Sequence, residues 1–383
     1  MTVLAPAPGS RADVLALGAA AQVSPGDWDR LARRGFHAHA WCTAAERCGW
    51  VPRHVAVRDS GGLRAIFPAY LTGDGVAHDL HDRWLGPLRT AAERAGLALR
   101  PVLSVQSPFA QTSEPMAAPD LLSEPVLHDV FAALESEAEA AHARAVCWPW
   151  VGDHREDLIR VARERGYAVV YAGSAAVLPV EWGSFDDYLA SRSKQVRRTV
   201  RADLRALEAA GLTFVWTHDF RREAAEMDRL YRDAFRRRNG RLPPTPADLF
   251  VRLGATPDPA VQAQLTRDGE RLVGTSLNVH ANGVLDGTFA AFASESTAGP
   301  VYYNDLCYAP VRLACTLGYS RIELGASALY AKVLRGAVLR PRVSLVRGTT
   351  RAVHEVLRRL GALTARRVEA KERLALGPLW ERA

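Results

Sequence analysis

The sequence predicts a mixed α/β (α+β) chain in two tandem halves, each a mixed central sheet flanked by helices. Three observations predict it. Segments of helical period alternate with segments of strand period along most of the chain, which fits layered α/β packing and no single-class architecture. The alternation restarts near Leu178-Pro179-Val180. A length of 383 residues, 48% hydrophobic and 24% charged, supports two or three ordinary cores and excludes a disordered or fibrous chain. We therefore expect a flexible leader over residues 1–23, a first domain over 24–180 and a second over 181–383.

The start, MTVLAPAPGSRADVLALGAAA, has no basic n-region before its short apolar stretch and reads as a frayed leader rather than a signal peptide. Ser24-Pro25-Gly26-Asp27 opens a helix carrying Trp28 and Leu31, with proline in the first turn, and a second helix runs from Ala38 to Cys48. HVAVR and LRAIFPAYL alternate on either side of Asp59-Ser60-Gly61-Gly62, the pattern of a β-hairpin. Residues 126–145 form an amphipathic helix, VCWPW a buried strand, and HREDLIRVARERGYAVV a helix, a glycine and a strand.

In the second half, Ser184-Phe185-Asp186-Asp187 resembles a capping-box start and predicts one long helix to about Ala210, ended by Gly211. A strand LTFVW follows, then a helix from Arg221 to Arg238 closed by Asn239-Gly240. Three strands come next, VQAQLTRD, RLVGTSLNVH and VLDGTFAAFA, turning at Asp268-Gly269 and Ala281-Asn282-Gly283. After Gly299-Pro300 the pattern predicts a helix that begins between Asp305 and Pro310 and ends near Leu317. The strand RIEL, the loop GASALY, a short helix to Arg335 and the strand RVSLV complete it. This order resembles the topology of a GNAT acyltransferase domain, and residues 25–180 carry a weaker version of it.

The formal net charge is +7, yet of the 49 Lys and Arg residues only three are lysines, Lys194, Lys332 and Lys371. So strong an arginine bias discounts the total charge and makes the surviving lysines informative. No run approaches the roughly 18 apolar residues that cross a bilayer. The five cysteines, odd in number and without a CxxC pair, read as reduced thiols of a cytoplasmic protein. They and the 11 histidines show no metal-ligand spacing, so no metal is expected, and no GxSxG elbow supports a hydrolase triad.

Several short stretches look familiar in order: Gly49-Trp50-Val51-Pro52-Arg53-His54-Val55-Ala56-Val57 with Ile66-Phe67-Pro68-Ala69-Tyr70-Leu71, Ser107-Pro108-Phe109, Phe185 through Lys194, Asp305-Leu306-Cys307-Tyr308, and Gly325-Ala326 through Lys332 to Arg335-Gly336. Together they resemble the Fem-like family of GNAT N-acyltransferases, of the peptidoglycan biosynthesis or recognition type, over roughly residues 24–348. The resemblance implies tandem GNAT-like domains with catalysis in the C-terminal one. Two departures bear on the substrate. The family typically has Glu where Asp305 stands, and a Gln-Gly-Glu-His run where this chain has Ser327-Ala328-Leu329-Tyr330-Ala331, one residue longer.

On the helix expected over 188–210, Val196, Val200, Leu204 and Leu207 form an apolar stripe, while Lys194, Arg198, Arg201 and Arg205 form a basic one. Stacked cations repel unless an anion neutralises them, which fits a phosphate-bearing partner such as tRNA; a solvated basic face is the other reading. Asp305, expected at the start of a helix, is either the carboxylate that takes a proton from an attacking amine or an acid complementing the helix dipole. Lys332 and Arg335 lie three apart on one helical face, a compact charge beside a planar fork, suited to phosphate or carboxylate. With the resemblance, the candidate catalytic residues are Asp305, Lys332 and Tyr303. Arg335, Tyr308, Ser327 and Tyr330 are the candidate substrate-binding residues. Cys307 reads as core and Lys371, in the basic tail, as solvated.

Acyl-CoA-dependent GNAT enzymes cradle pyrophosphate in a Gln/Arg-x-x-Gly-x-Gly/Ala loop; the corresponding window here, Ser294 to Pro300, has one glycine and neither Gln nor Arg. Fem-type relatives take an aminoacyl group from tRNA. The expected function is thus amide formation by aminoacyl transfer, with aminoacyl-tRNA as donor and tRNA as partner. The acceptor is a small-molecule or peptide-like amine, as in natural-product biosynthesis, and no tightly bound cofactor is expected. The alternatives are acyl-CoA-dependent N-acetyl transfer and a catalytically silent module binding a cell-wall fragment or nucleic acid.

Overall fold

A computed structural model describes residues 12–72, 92, 94, 96–117, 121–243, 245–255, 258–294 and 299–382. The chain forms two compact units, Met1–Ser174 with Arg340–Leu374, and Ala175–Leu339 with Ala375–Ala383. This division departs from a cut at 180/181. Residues 340–374 return to the first unit because Val353 and Leu357 of the helix Arg351–Leu376 pack against Leu99, Val102 and Val346. Within the expected leader, Asp13–Leu17 is a strand antiparallel to His54–Asp59, held by buried Val14, Leu15 and Leu17; residues 1–11 lie outside the described residues.

The first unit has a four-stranded antiparallel sheet in the order Asp13–Leu17, His54–Asp59, Gly62–Phe67, Met116–Ala117. Its second set of strands runs Val338–Gly348, Ala145–Gly152, Val102–Val105, Ala69–Thr72, Val51–Pro52. Only Val102–Val105 and Ala145–Gly152 are parallel in that set. The core centres on Trp148, which stacks on Phe131 (centroids 5.0 Å apart, planes at 27°) and meets Phe67 edge-on at 5.8 Å. The helices Glu124–Ala140 and Glu156–Glu164 bury Leu127, Leu134, Leu158 and Val161 in the same core. The 26-residue helix Arg351–Leu376 approaches the strand Ala168–Pro179 at Gly361, where a Cβ would sit 2.7 Å from Val170 Cγ2. One turn from its end, Glu372 accepts hydrogen bonds from Ser174 N (2.8 Å), Ser174 Oγ (3.0 Å) and the Tyr171 hydroxyl (2.7 Å).

The second unit is built on a sheet in the order Thr213–Thr217, Val261–Asp268, Arg271–Ala281, Val284–Phe292, Arg321–Gly325 and then the end of Ala168–Pro179. The meander is antiparallel; Val284–Phe292 and Arg321–Gly325 run parallel and pair only over Val284–Asp286 with Arg321–Glu323. Tyr188, Val200, Leu285, Tyr308, Val311 and Ile322 share its core.

Two expectations are corrected. The single helix from Ser184 is two, Phe185–Ala190 and Lys194–Ala209. Ser191 Oγ donates to Tyr188 O at 2.7 Å, and Ser193 Oγ accepts from Val196 N at 3.3 Å, so these serines compete with the backbone ladder and start a new helix. The helix expected to begin between Asp305 and Pro310 begins at Pro300 and contains a wide π turn over Asn304–Tyr308 before continuing as Ala309–Leu317. Pro310 has no N–H for the carbonyl of Leu306 and its ring crowds that carbonyl, which widens the preceding turn. Asp305 therefore lies inside the helical segment, and the dipole-complementing position assigned to it is lost.

Trp148 is 1% exposed, and Trp148→Ala should cost about 3–5 kcal/mol, read as a lower denaturation midpoint. Leu374, 86% exposed, is the control: Leu374→Ser should change stability by less than about 0.5 kcal/mol.

Candidate active site

The strand Val261–Asp268 alternates so that Gln262, Gln264 and Thr266 share one face. Two of them meet Asp305. Gln264 Nε2 donates to Oδ1 at 2.7 Å and Thr266 Oγ1 to Oδ2 at 2.8 Å, while Asn304 Nδ2 donates to Oδ1 at 3.0 Å. The carboxylate lies directly on the neighbouring strand at Gly274, where a Cβ would sit 2.7 Å from Oδ2; only glycine leaves that room. Asp305 is 1% exposed, and burial pushes its carboxyl up to about 7 against the opposing pull of the bonds from Thr266, Asn304 and Gln264.

A second network gathers around the short helix Leu329–Leu334. Lys332 is 3% exposed, its Nζ donating to the carbonyls of Leu324 and Gly325 at the end of a strand, and burial pulls its ammonium down to about 8. Arg335 is buried beside it. Its Nε and Nη2 donate to the Tyr308 hydroxyl at 3.2 and 3.1 Å, its Nη1 to Ala331 O at 3.0 Å, and its guanidinium carbon sits 3.8 Å from the centroid of the Tyr303 ring. The Tyr308 hydroxyl in turn donates to Asp203 Oδ2 at 2.6 Å, an oxygen 3.9 Å from Arg335. Among the described residues Lys332 meets no carboxylate and Arg335 meets Asp203, so the cluster is a desolvated site of net positive charge.

Tyr303, Tyr308, Lys332 and Arg335 thus come together, whereas Asp305 keeps a separate set of partners on the sheet. Ser327 is exposed in the turn that leads into the helix, where Ala328 takes φ +49, the left-handed region, and Tyr330 is exposed in the first turn of the helix itself. Lys194, Arg198, Arg201 and Arg205 are exposed along the helix Lys194–Ala209, none of them with an ion pair among the described residues. Cys307 is 3% exposed and burial pushes its thiol up, the behaviour of a packing residue. Of the window Ser294–Pro300, residues 295–298 lie outside the described residues.

Sequence reasoning did not assign Asp203, Gln264, Thr266 or Gly274 to the site. The polar alternation of VQAQLTRD was the available signal for two of them. Among the described residues one acid and histidine group, Glu124, His128 and Glu164, lies close enough to share a ligand. Arg160 already neutralises its carboxylates, at 2.6 Å from Glu124 and 3.7 Å from Glu164. No helix among the described residues is long and apolar enough to cross a membrane.

A sequence profile of the FemAB-like family, described as peptidoglycan biosynthesis/recognition, matches residues 19–375. No curated protein matches the chain significantly in sequence. Among solved structures, FemX aligns with a TM-score of 0.59 at 12% identity, over 85% of this chain and 96% of its own. The C-terminal domain of a protein described as a lysylphosphatidylglycerol synthetase of Agrobacterium fabrum gives 0.56 at 11% identity, over 89% and 94%. L-PGS from Bacillus licheniformis gives 0.50 at 14% identity, over 81% and 88%. At these identities the structural likeness establishes a fold shared with these proteins, and the profile establishes the family. The chain belongs to the FemAB-like family.

Proposed function

We propose that the chain transfers an aminoacyl group from aminoacyl-tRNA to the amine of a small-molecule or peptide-like acceptor, in the cytoplasm and without a tightly bound cofactor. The observation that carries this reading is the buried pair Lys332 and Arg335, two cations served by one carboxylate. Taking charge out of water costs several kcal/mol per ion unless an opposite charge repays it, so the cluster is matched to an anion. The oxyanion that develops when an ester carbonyl is attacked is such an anion.

In this reaction the acceptor nitrogen attacks the carbonyl carbon of the aminoacyl ester, and an amide bond forms as the bond to the ribose 3′ oxygen breaks. The nitrogen gives up a proton and the ribose oxygen gains one. Lys332 and Arg335 face the oxyanion, and Tyr303 holds the guanidinium plane from below. Asp305, with its carboxyl near 7, takes the proton, its carboxylate freed from the Thr266 bond when the acceptor is in place. Tyr308, Ser327 and Tyr330 line the acceptor side, and the row Lys194, Arg198, Arg201, Arg205 binds tRNA phosphates. The lack of a glycine-rich pyrophosphate loop in the sequence weighs against acyl-CoA as donor.

Purified protein given charged tRNA and cell metabolites should yield an amide product by mass spectrometry, abolished when the tRNA is digested with RNase; product that survives digestion overturns the donor. Asp305 must be ionised and Lys332 protonated, so kcat/KM should rise as pH passes about 7 and fall as it passes about 8. Asp305→Asn should lower kcat about 10²-fold or more and remove the acidic limb, and full activity in that variant would reject it as the base. Lys332→Arg should lose activity on a similar scale, about 10²-fold, because a guanidinium does not fit the seat of the ammonium.

A further inference from the structure

Among the described residues, one cation near the site has no acid to hold it and is nevertheless fixed in place. Arg192 sits between the two helices of the basic segment, its guanidinium carbon 5.2 Å from the centroid of the Trp182 ring and 5.4 Å from that of Tyr188. Its Nε and Nη2 both donate to Ser191 Oγ at 3.1 Å. Its Nη1 lies against the α-carbon of Gly336, occupying the space a Cβ would need. Gly336 is at φ +99, so the backbone already requires glycine there, and the missing side chain leaves a slot for the guanidinium. No ion pair involves Arg192 among the described residues, and it is only half-buried.

An arginine held by aromatic rings instead of a carboxylate keeps its whole charge for another anion, and little of its side-chain entropy remains to be lost on binding. Its place is equally informative. Tyr188, one of its rings, donates a hydrogen bond to Arg335 O at 3.0 Å, and Gly336 follows Arg335 in the chain. On its other side Ser193 caps the helix that carries Lys194, Arg198, Arg201 and Arg205. Arg192 therefore joins the exposed basic row to the buried Lys332 and Arg335 pair.

We infer that Arg192 is a phosphate-binding residue that takes a phosphodiester near the 3′ end of the donor, at the point where the strand leaves the basic row for the buried cluster. The inference rests on the aminoacyl-tRNA reading above. A planar fork on rings suits a diester oxygen, and one such contact near the ester fixes how far the 3′ end reaches toward Lys332.

The test is kcat/KM for charged tRNA as a function of salt, in wild type and Arg192→Gln, which keeps a planar group over the rings and removes the charge. We expect KM to rise about tenfold with kcat little changed, and the slope of log(kcat/KM) against log salt to become shallower by roughly 0.7 to 0.9, the signature of one lost phosphate contact. An unchanged slope in a variant that melts at the wild-type temperature overturns the assignment. If Arg192→Gln is unstable, phenylglyoxal modification of the wild-type protein decides: charged tRNA should protect Arg192 in peptide maps, and modification at an unchanged rate overturns the assignment. If RNase leaves transfer intact, the donor reading falls and Arg192's role with it. If RNase abolishes transfer while the slope is unchanged, only the role of Arg192 falls.

Discussion

Much of the second unit is organised by the need to keep two positive charges away from water without an acid for each. Lys332 lies on, and Arg335 caps, a helix of less than two turns, which has no stability of its own and exists because its neighbours hold it. The strand Arg321–Gly325 ends so that the carbonyls of Leu324 and Gly325 receive the ammonium. The helix Lys194–Ala209 supplies Asp203 through Tyr308, and Tyr303 supplies a ring. Carbonyl dipoles, a phenol and a π-face are weaker partners than carboxylates, and they leave the site short of negative charge. That shortfall is what the proposed reaction draws on, since a fully paired cluster would have little left to offer an anion.

The π turn over Asn304–Tyr308 is what lets one helical segment serve both networks. In a regular α-helix residues five apart point roughly 140° away from each other. In a π turn, whose hydrogen bonds join residues five apart, they come to one side. Tyr303 and Tyr308 thereby both reach Arg335, while Asp305, between them, turns to the sheet face and meets Gln264 and Thr266. Gly274 completes the arrangement by letting the carboxylate lie against the strand. Asp305 and Lys332 are shifted toward each other's titration range from opposite directions, a carboxyl raised to about 7 and an ammonium lowered to about 8, and in both burial is the main cause.

Legibility in the sequence followed the range of the interactions involved. The three-strand meander over residues 261–293, the hairpin at Asp59–Gly62 and the Ser24 cap were readable because period, turn residues and caps are local properties. The split at Ser191–Ser193 was missed because two serines weigh little against a long amphipathic stripe until their side-chain bonds are seen. The return of residues 340–374 to the first unit was missed because it depends on packing between segments hundreds of residues apart. In the site, cations three apart on a helix could be read, but their shortage of acids could not: it required knowing that Asp203, the lone acid in a basic stretch, pairs with Tyr308 across 105 positions. Asp305 was found by resemblance and misplaced by pattern, because a proline that usually opens a helix here sits in the middle of one.

The arginine bias of the chain separates its lysines physically. Where a cation faces water, Lys and Arg are nearly interchangeable, and mutational drift toward Arg meets little resistance. Lys194 and Lys371 are exposed and have no feature that arginine could not reproduce. Lys332 is different on three counts. Its seat is two adjacent backbone carbonyls at a strand end, which match a compact ammonium better than a planar fork. It is almost fully enclosed, so the larger guanidinium would have to displace the helix that carries it. And an ammonium drawn down to about 8 can shed its proton near neutral pH, which arginine cannot do. Of the three lysines, only Lys332 has reasons of size, geometry and titration to resist the compositional drift of its own sequence.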